Sequence, residues 1–165
     1  MPNANGARSL ADSASSLRPL TSLAGDPQFV AALILGPVAW SLIAWWSNWD
    51  VAFDFPPRLL VDQPVRFAML VIAYPVLEEF VFRGWLQPAL SARLKQRLSP
   101  GVSAANLMTS TLFALAHLWY HPPAMALATF FPSLVFGHMR DRYNHLLPAI
   151  ALHAFYNAGY FSIFG

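Results

Sequence analysis

Two adjacent glutamates lie inside an apolar run of the sequence, YPVLEEFVFRGWL, where a charged side chain is costly. At the centre of a bilayer such a group costs about 2.5–3.5 kcal/mol on insertion scales. Glu79 and Arg83 are four residues apart, so one helix face carries both and an ion pair offsets part of this cost. Glu78 points about 100° away and has no partner within its own helix. We therefore expect it to meet a group on another helix, to meet water, or to stay protonated.

Two further apolar segments contribute polar side chains of related chemistry. His117 closes the run STLFALAH, and His153 and Asn157 share one helix face in LHAFYN. Ionisable groups within apolar segments usually mark a functional site. A carboxylate can act as a base toward water, and imidazole and carboxamide groups can donate to a developing negative charge, so such a site does not require a Ser, Cys or Thr nucleophile. The other three histidines stand at segment ends beside proline or arginine, which predicts interfacial positions for them: His121, His138 and His145.

The composition places this chemistry in a membrane. Of 165 residues, 56% are hydrophobic and 11% are charged, whereas soluble domains carry roughly 25% charged residues. This excludes a typical soluble domain and also a disordered chain. The ten Lys and Arg residues are scattered between apolar runs, so nucleic acid is not an expected partner. The absence of cysteine excludes disulfides, thiolate metal sites and cysteine nucleophiles. An integral membrane protein in a lipid bilayer is the predicted class.

The order of apolar segments predicts an all-α polytopic helix bundle with about five transmembrane spans. Residues 1–28 form a polar N-terminal tail, which we expect to be mobile, and residues 29–49 form the first span. Residues 65–164 form a catalytic bundle whose apolar segments cover about 65–90, 102–120, 124–139 and 146–164. With the N-terminus in the cytoplasm, seven basic residues fall on the cytoplasmic side and two on the other. The positive-inside rule therefore predicts an N-terminus in the cytoplasm and a C-terminus outside.

Three short patterns resemble the motifs of one known family. Residues 78–83, EEFVFR, match EExxxR; residues 113–117, FALAH, match FxxxH; residues 153–157, HAFYN, match HxxxN. Each pattern is weak alone, but all three occur in order, each on its own apolar segment. The chain thus resembles the CAAX protease and bacteriocin-processing family (CPBP, or Abi) of glutamate-type intramembrane endopeptidases over about residues 65–160.

The resemblance implies a role for each polar residue. Glu78 is the expected general base, His117 helps to hold the attacking water, and His153 and Asn157 stabilise the oxyanion. Glu79 and Arg83 support the helix that presents Glu78. No metal or other cofactor is expected.

The resemblance also implies a substrate class and a location. The substrate is a membrane-associated protein or peptide. Prenyl-protein members have additional transmembrane helices, so this chain is more similar to compact bacterial members of the cytoplasmic (inner) membrane. Some of these are associated with C-terminal sorting tails of exported proteins, and others with bacteriocin maturation or immunity.

Three alternatives remain at this stage. Glu78, His117 and His153 are also ligand types of catalytic zinc, which would make the protein an intramembrane metalloprotease, although no HExxH helix is present. A non-enzymatic immunity or peptide-binding protein would have no evident need for His153 and Asn157 together. An ion or proton carrier would also place acids and histidines within the membrane, but the sequence has no inverted repeat.

Overall fold

The computed structural model describes residues 20–46, 57–94, 96–99 and 101–164, and these are almost entirely helical. The helices are α1 (Pro27–Trp46), α2 (Arg58–Asp62), α3 (residues 64–91), α4 (Ala104–His117), α5 (Pro123–Ala128), α6 (Phe130–Tyr143) and α7 (Leu147–Ile163). A 3₁₀ turn (Leu20–Gly25) precedes α1, and the short antiparallel strands β1 (Arg97–Ser99) and β2 (Val102–Ser103) join α3 to α4. The all-α prediction is confirmed for these residues.

Helix α1 is long and apolar enough to cross a membrane. Its 20 residues carry no charge and have a mean hydropathy of 1.8 in the best window. At 1.5 Å per residue this length spans a hydrocarbon core of about 30 Å. The helix begins two residues before the predicted first span, and residues 47–49 lie outside the described part of the chain. Among the described helices α1 alone meets these criteria, so the five-span arrangement stays a prediction.

Helix α3 carries the glutamate pair and is interrupted twice by wider π-helical turns. Its pieces are Pro64–Ala68, Met69–Ala73 (π), Tyr74–Glu79, Phe80–Leu86 (π) and Gln87–Ser91. The residues at the junctions keep right-handed helical backbone angles, so the five pieces form one continuous helix. The two glutamates therefore lie between two π segments, which are often found at functional sites.

Polar contacts bring four helix ends together at one end of the bundle. Asp141 near the end of α6 accepts hydrogen bonds from Gln87 of α3 (2.7 Å) and from Ser103 (2.7 Å), which caps the start of α4. Just before α1, the carboxylate of Asp26 accepts from Arg142 Nε (2.6 Å) and the Tyr143 hydroxyl (2.6 Å). Arg140 and Arg142, two of the basic residues that the sequence analysis assigns to the cytoplasmic side, lie at this end.

Asp26 lies within the segment expected to be a polar tail, yet its side chain is buried against α6. The hydrogen bonds from Arg142 hold the pKa of this carboxyl far below its ordinary value, with further lowering from Tyr143 and the Gln28 backbone N–H. The last residues before α1 are therefore fixed to the bundle. Residues 1–19 lie outside the described part of the chain.

Helices α1, α6 and α7 share an apolar core of Phe29, Ala32, Phe136, Met139, Tyr143, Ala149 and Leu152. The Tyr156 hydroxyl of α7 donates to the carbonyl of Ala32 in α1 (2.6 Å), and its ring packs edge-on against Phe136 of α6 (5.4 Å between centroids). Trp40, two turns later in α1, packs against Phe155 and Tyr156 and also approaches Gly159, about one turn further along α7. These contacts advance together along both chains, so α1 and α7 run parallel.

Candidate active site

The predicted Glu79–Arg83 ion pair is present at the centre of the bundle. Arg83 Nη1 lies 2.8 Å from Glu79 Oε1, and both side chains are fully buried. Arg83 Nη2 donates to the Ser133 carbonyl (3.0 Å) and the Ser133 hydroxyl (2.5 Å) on α6. The guanidinium also lies over the ring of Phe113, 4.7 Å from its centroid. Buried charges require such pairing, and here the pair ties α3 to α6.

His153 of α7 lies between the two glutamates. Its Nδ1 is 2.8 Å from Glu79 Oε1, and its Nε2 is 3.6 Å from Glu78 Oε2. The imidazole is buried and stacks on Phe136 at 4.8 Å with an interplanar angle of 18°. Because the carboxylate paired with Arg83 can only accept, we assign the Nδ1 hydrogen of His153 to this bond. The Nε2 atom is then the one that faces Glu78.

Glu78 approaches a side chain of another helix, His153 of α7, which is one of the three outcomes expected from its position on α3. Its side chain is 33% exposed, in contrast to the fully buried Glu79. The 3.6 Å separation from His153 Nε2 is longer than a hydrogen bond, although it lies within ion-pair range. One glutamate is thus fixed in a buried pair, and the other stays accessible beside an imidazole.

His117 lies at the end of α4, and its ring and that of His153 both contact the Phe113 ring. Its Nδ1 contacts the carbonyl of Phe113 at 2.8 Å, which leaves Nε2 available. The Phe113 ring is 4.4 Å from the His117 ring and 5.9 Å from the His153 ring. His117 also stacks on exposed His121 at 5.7 Å. The described contacts include no direct bond between His117 and Glu78, so Phe113 is what connects the two imidazoles.

Asn157 lies one turn beyond His153 on α7 and binds the backbone of α3. Its Nδ2 donates to the carbonyl of Leu70 at 2.9 Å. An amide nitrogen carries two hydrogens, so the second remains for another acceptor. The structure therefore places Asn157 beside the same helix as Glu78, through a main-chain contact that the sequence did not predict.

The remaining histidines lie away from this cluster. His138 Nε2 contacts Gln28 Oε1 (2.8 Å), and His145 Nδ1 accepts from the backbone N–H of Leu147 (3.0 Å). Both are at the end of the bundle that carries Asp141. Their positions match no part of the Glu78 site.

The zinc alternative can be compared with this geometry. Over residues 20–46, 57–94, 96–99 and 101–164, no three His, Cys, Asp or Glu side chains are arranged to hold one metal ion. Glu78, His117 and His153 in particular do not form such a group. These donors do not fit a catalytic zinc site, which needs three converging protein ligands.

Several buried residues around the ion pair were not predicted from the sequence. The Ser133 hydroxyl accepts a hydrogen bond from Arg83, and Gln87 donates to the Gly137 carbonyl (2.9 Å). Both acceptors lie on α6. Asn106 of α4 donates to the Leu134 carbonyl (2.9 Å). The only available signal was the four-residue spacing of Ser133 and Gly137, which gives α6 a small-residue face. Such a stripe is too common to identify a site without the fold.

The site thus consists of the partly exposed Glu78 carboxylate, the buried Glu79–Arg83 pair, the His153 imidazole and the Asn157 carboxamide. All of these groups lie on apolar helices. A family model described as type II CAAX prenyl endopeptidase Rce1-like matches residues 60–159, which include α3 to α6, most of α7 and all six predicted site residues. The class is therefore an integral membrane protease. The chain belongs to the Rce1-like family, in agreement with the resemblance found in its motifs. No curated protein and no solved structure matches it. Helix α1 lies outside the matched residues.

Proposed function

We propose that the protein is an intramembrane endopeptidase in which Glu78 activates water to hydrolyse a peptide bond of a membrane-associated protein or peptide. The observation that carries this proposal is the position of the accessible Glu78 carboxylate, 3.6 Å from His153 Nε2. The opposite nitrogen of the same ring is held by Glu79 at 2.8 Å. A carboxylate that is only partly buried and an imidazole with a fixed orientation are what this chemistry requires.

In the proposed reaction Glu78 removes a proton from water as the water oxygen attacks the scissile carbonyl carbon. The negative charge that develops on the carbonyl oxygen is stabilised by His153, as an imidazolium donating from Nε2, and by the second N–H of Asn157. The C–N bond then breaks, and the proton held by Glu78 passes to the departing amine nitrogen. His117, whose Nε2 is free, helps to hold the water.

Glu79 and Arg83 act on this reaction through orientation. Glu79 accepts from His153 Nδ1 and so directs Nε2 toward Glu78. Arg83 fixes Glu79, and Ser133 fixes Arg83 from α6. This chain of buried bonds links three helices to the orientation of one imidazole ring, which fits a site that must be rigid before substrate binds.

The substrate and the membrane arrangement belong to the same proposal. We place the protein in the bacterial cytoplasmic membrane with five spans and a cytoplasmic N-terminus. The basic residues of the bundle end that carries Asp141 support this orientation. C-terminal sorting tails of exported proteins and bacteriocin precursors are the proposed substrates, with prenylated CAAX sequences as the family-level alternative.

The test uses the full chain in liposomes with two quenched-fluorescent peptides. One is a farnesylated peptide ending in a CAAX sequence, and the other ends in an unprenylated hydrophobic tail. Glu78→Gln should lower kcat by about 10²–10⁴-fold, the usual contribution of a general base. Asp62→Asn, which changes an exposed acid at the end of α2, is the matched control and should stay within about twofold of wild type.

Three results would contradict the proposal. Cleavage by Glu78→Gln at the wild-type rate would remove Glu78 from the chemistry. Stoichiometric zinc in the purified protein, with activity that a chelator abolishes and zinc restores, would establish the metalloprotease instead. If neither peptide is cleaved while both bind equally to wild type and Glu78→Gln, the protein is a peptide-binding protein.

A further inference from the structure

Each π segment of α3 ends two residues before a proline, at Ala73 before Pro75 and at Leu86 before Pro88. The N–H of Tyr74, which precedes Pro75, bonds to the Met69 carbonyl five residues back. The N–H of Gln87, which precedes Pro88, bonds to the Phe82 carbonyl in the same way. Proline has no N–H, so it cannot continue this pattern. The next carbonyl in each case, Leu70 or Arg83, is left without its main-chain donor.

Side chains from two other helices supply the missing donors. Asn157 Nδ2 of α7 donates to the Leu70 carbonyl at 2.9 Å. Arg140 Nε of α6 donates to the Arg83 carbonyl at 3.0 Å. The same arrangement thus occurs twice, once on each side of the glutamate pair. In a region without water every backbone acceptor needs such a partner, so these bonds connect the two π segments to their neighbours.

The π segments also set the rotation of α3. Residues eight apart differ by about 80° around an α-helix, and one π turn between them reduces this difference to about 20°. Leu70 and Glu78 are eight apart across the first π segment, and Glu79 and Gln87 are eight apart across the second. The first alignment lets α7 bind the Leu70 carbonyl while His153 of the same helix faces Glu78.

We propose that Pro75 is a positioning residue of the active site. It withholds an N–H from the helix, which preserves the first π segment and leaves the Leu70 carbonyl for Asn157. This bond fixes the rotation at which α3 presents Glu78 to His153. The inference rests on the proposed function of Glu78 and adds a residue that touches neither substrate nor water.

Replacing Pro75 by alanine supplies the missing N–H. The π segment can then convert to an α-helix with ordinary main-chain hydrogen bonds. The angle around the helix axis between Leu70 and Glu78 then changes by about 100°, the rotation of one residue. Either the Leu70–Asn157 bond or the Glu78–His153 approach must then break. Since alanine favours a helix more than proline does, the variant should fold at least as well while its chemistry is impaired.

The experiment compares Pro75→Ala with Pro37→Ala, which removes an exposed proline inside α1. Both are assayed in liposomes with the farnesylated and the hydrophobic-tail peptides. Pro75→Ala should lower kcat at least tenfold with KM within twofold and the melting temperature unchanged or higher, while Pro37→Ala should keep the wild-type kcat. An α-hydroxy analogue of alanine at position 75 lacks the N–H and should restore kcat, which a purely steric role of the proline ring would not allow.

A second readout does not depend on activity. With asparagine labelled by ¹⁵N and the Asn157 signal assigned through Asn157→Asp, the side-chain amide should exchange with solvent at least tenfold faster in Pro75→Ala than in wild type. If wild type cleaves neither peptide, the proposed function fails, but this measurement still tests the positioning of α3. Wild-type kcat, or wild-type exchange, in Pro75→Ala overturns the inference. If Pro75→Ala does not accumulate, the hydroxy-acid variant provides the test. Its Asn157 side-chain amide should exchange with solvent at the wild-type rate, and faster exchange would overturn the inference.

Discussion

The buried pair of Glu79 and Arg83 gives the largest stability effect that we predict. Arg83→Met leaves the Glu79 carboxylate fully buried without its cation and leaves both Ser133 oxygens without their donor. Breaking a buried ion pair by removing one partner costs about 3–5 kcal/mol. Glu79→Gln leaves the Arg83 charge buried and should cost a similar amount. In the double variant neither charge remains, so we expect a coupling of about 2–3 kcal/mol relative to the sum of the single variants.

The free energies of unfolding can be measured by denaturant titration in mixed micelles, followed by tryptophan fluorescence. Arg66→Met is the matched control, because Arg66 makes only an exposed hydrogen bond with Gln63 (3.2 Å) and should change the free energy of unfolding by less than about 0.5 kcal/mol. Additive single-variant effects, or a double variant less stable than the sum predicts, would refute the reasoning. In either case the pair would not be the unit that joins α3 to α6.

Two further predictions concern contacts outside the glutamate pair. Because the pKa of Asp26 is lowered in the folded state, its contribution to stability is complete above the ordinary carboxyl pKa of about 4 and declines as the pH falls below it. Asp26→Asn should therefore lower the melting temperature at pH 7 and reduce the fall in melting temperature as the pH drops below about 4. The same fall in Asp26→Asn as in wild type would contradict this. A Cβ on Gly137 would overlap the Asn106 amide, so Gly137→Ala should cost about 1–3 kcal/mol through overpacking. Adding Asn106→Ala should recover part of the loss in the same titration, and no recovery would show that the overlap is not the cause.

Local spacing predicted the parts of the site that depend on one helix. Glu79 and Arg83 were expected to pair because four residues bring side chains together, and they do at 2.8 Å. The same rule placed Glu78 away from that pair, and the structure brings it to 3.6 Å from His153 of another helix. The catalytic roles of Glu78, His117, His153 and Asn157 stay predictions, as does the division into tail, first span and catalytic bundle.

Local spacing does not predict which residues of different helices contact each other. Nothing in the sequence indicated that Asn157 would bind the Leu70 carbonyl, since that acceptor becomes free only when a π turn meets Pro75. The proline alone predicts a missing donor, but not which carbonyl loses it. The burial of Asp26 was also unexpected, because its partners lie 116 and 117 residues away.

The order of residues thus determined the helical class, the apolar character and the family, because periodicity, hydropathy and motif spacing are properties of neighbouring residues. The packing of the helices decided which face of α3 meets α7, which imidazole approaches Glu78 and which carbonyls need side-chain donors. These outcomes depend on the rotation of one helix against another. A change of one residue in backbone register turns a helix by about 100°, and only the folded bundle fixes that register.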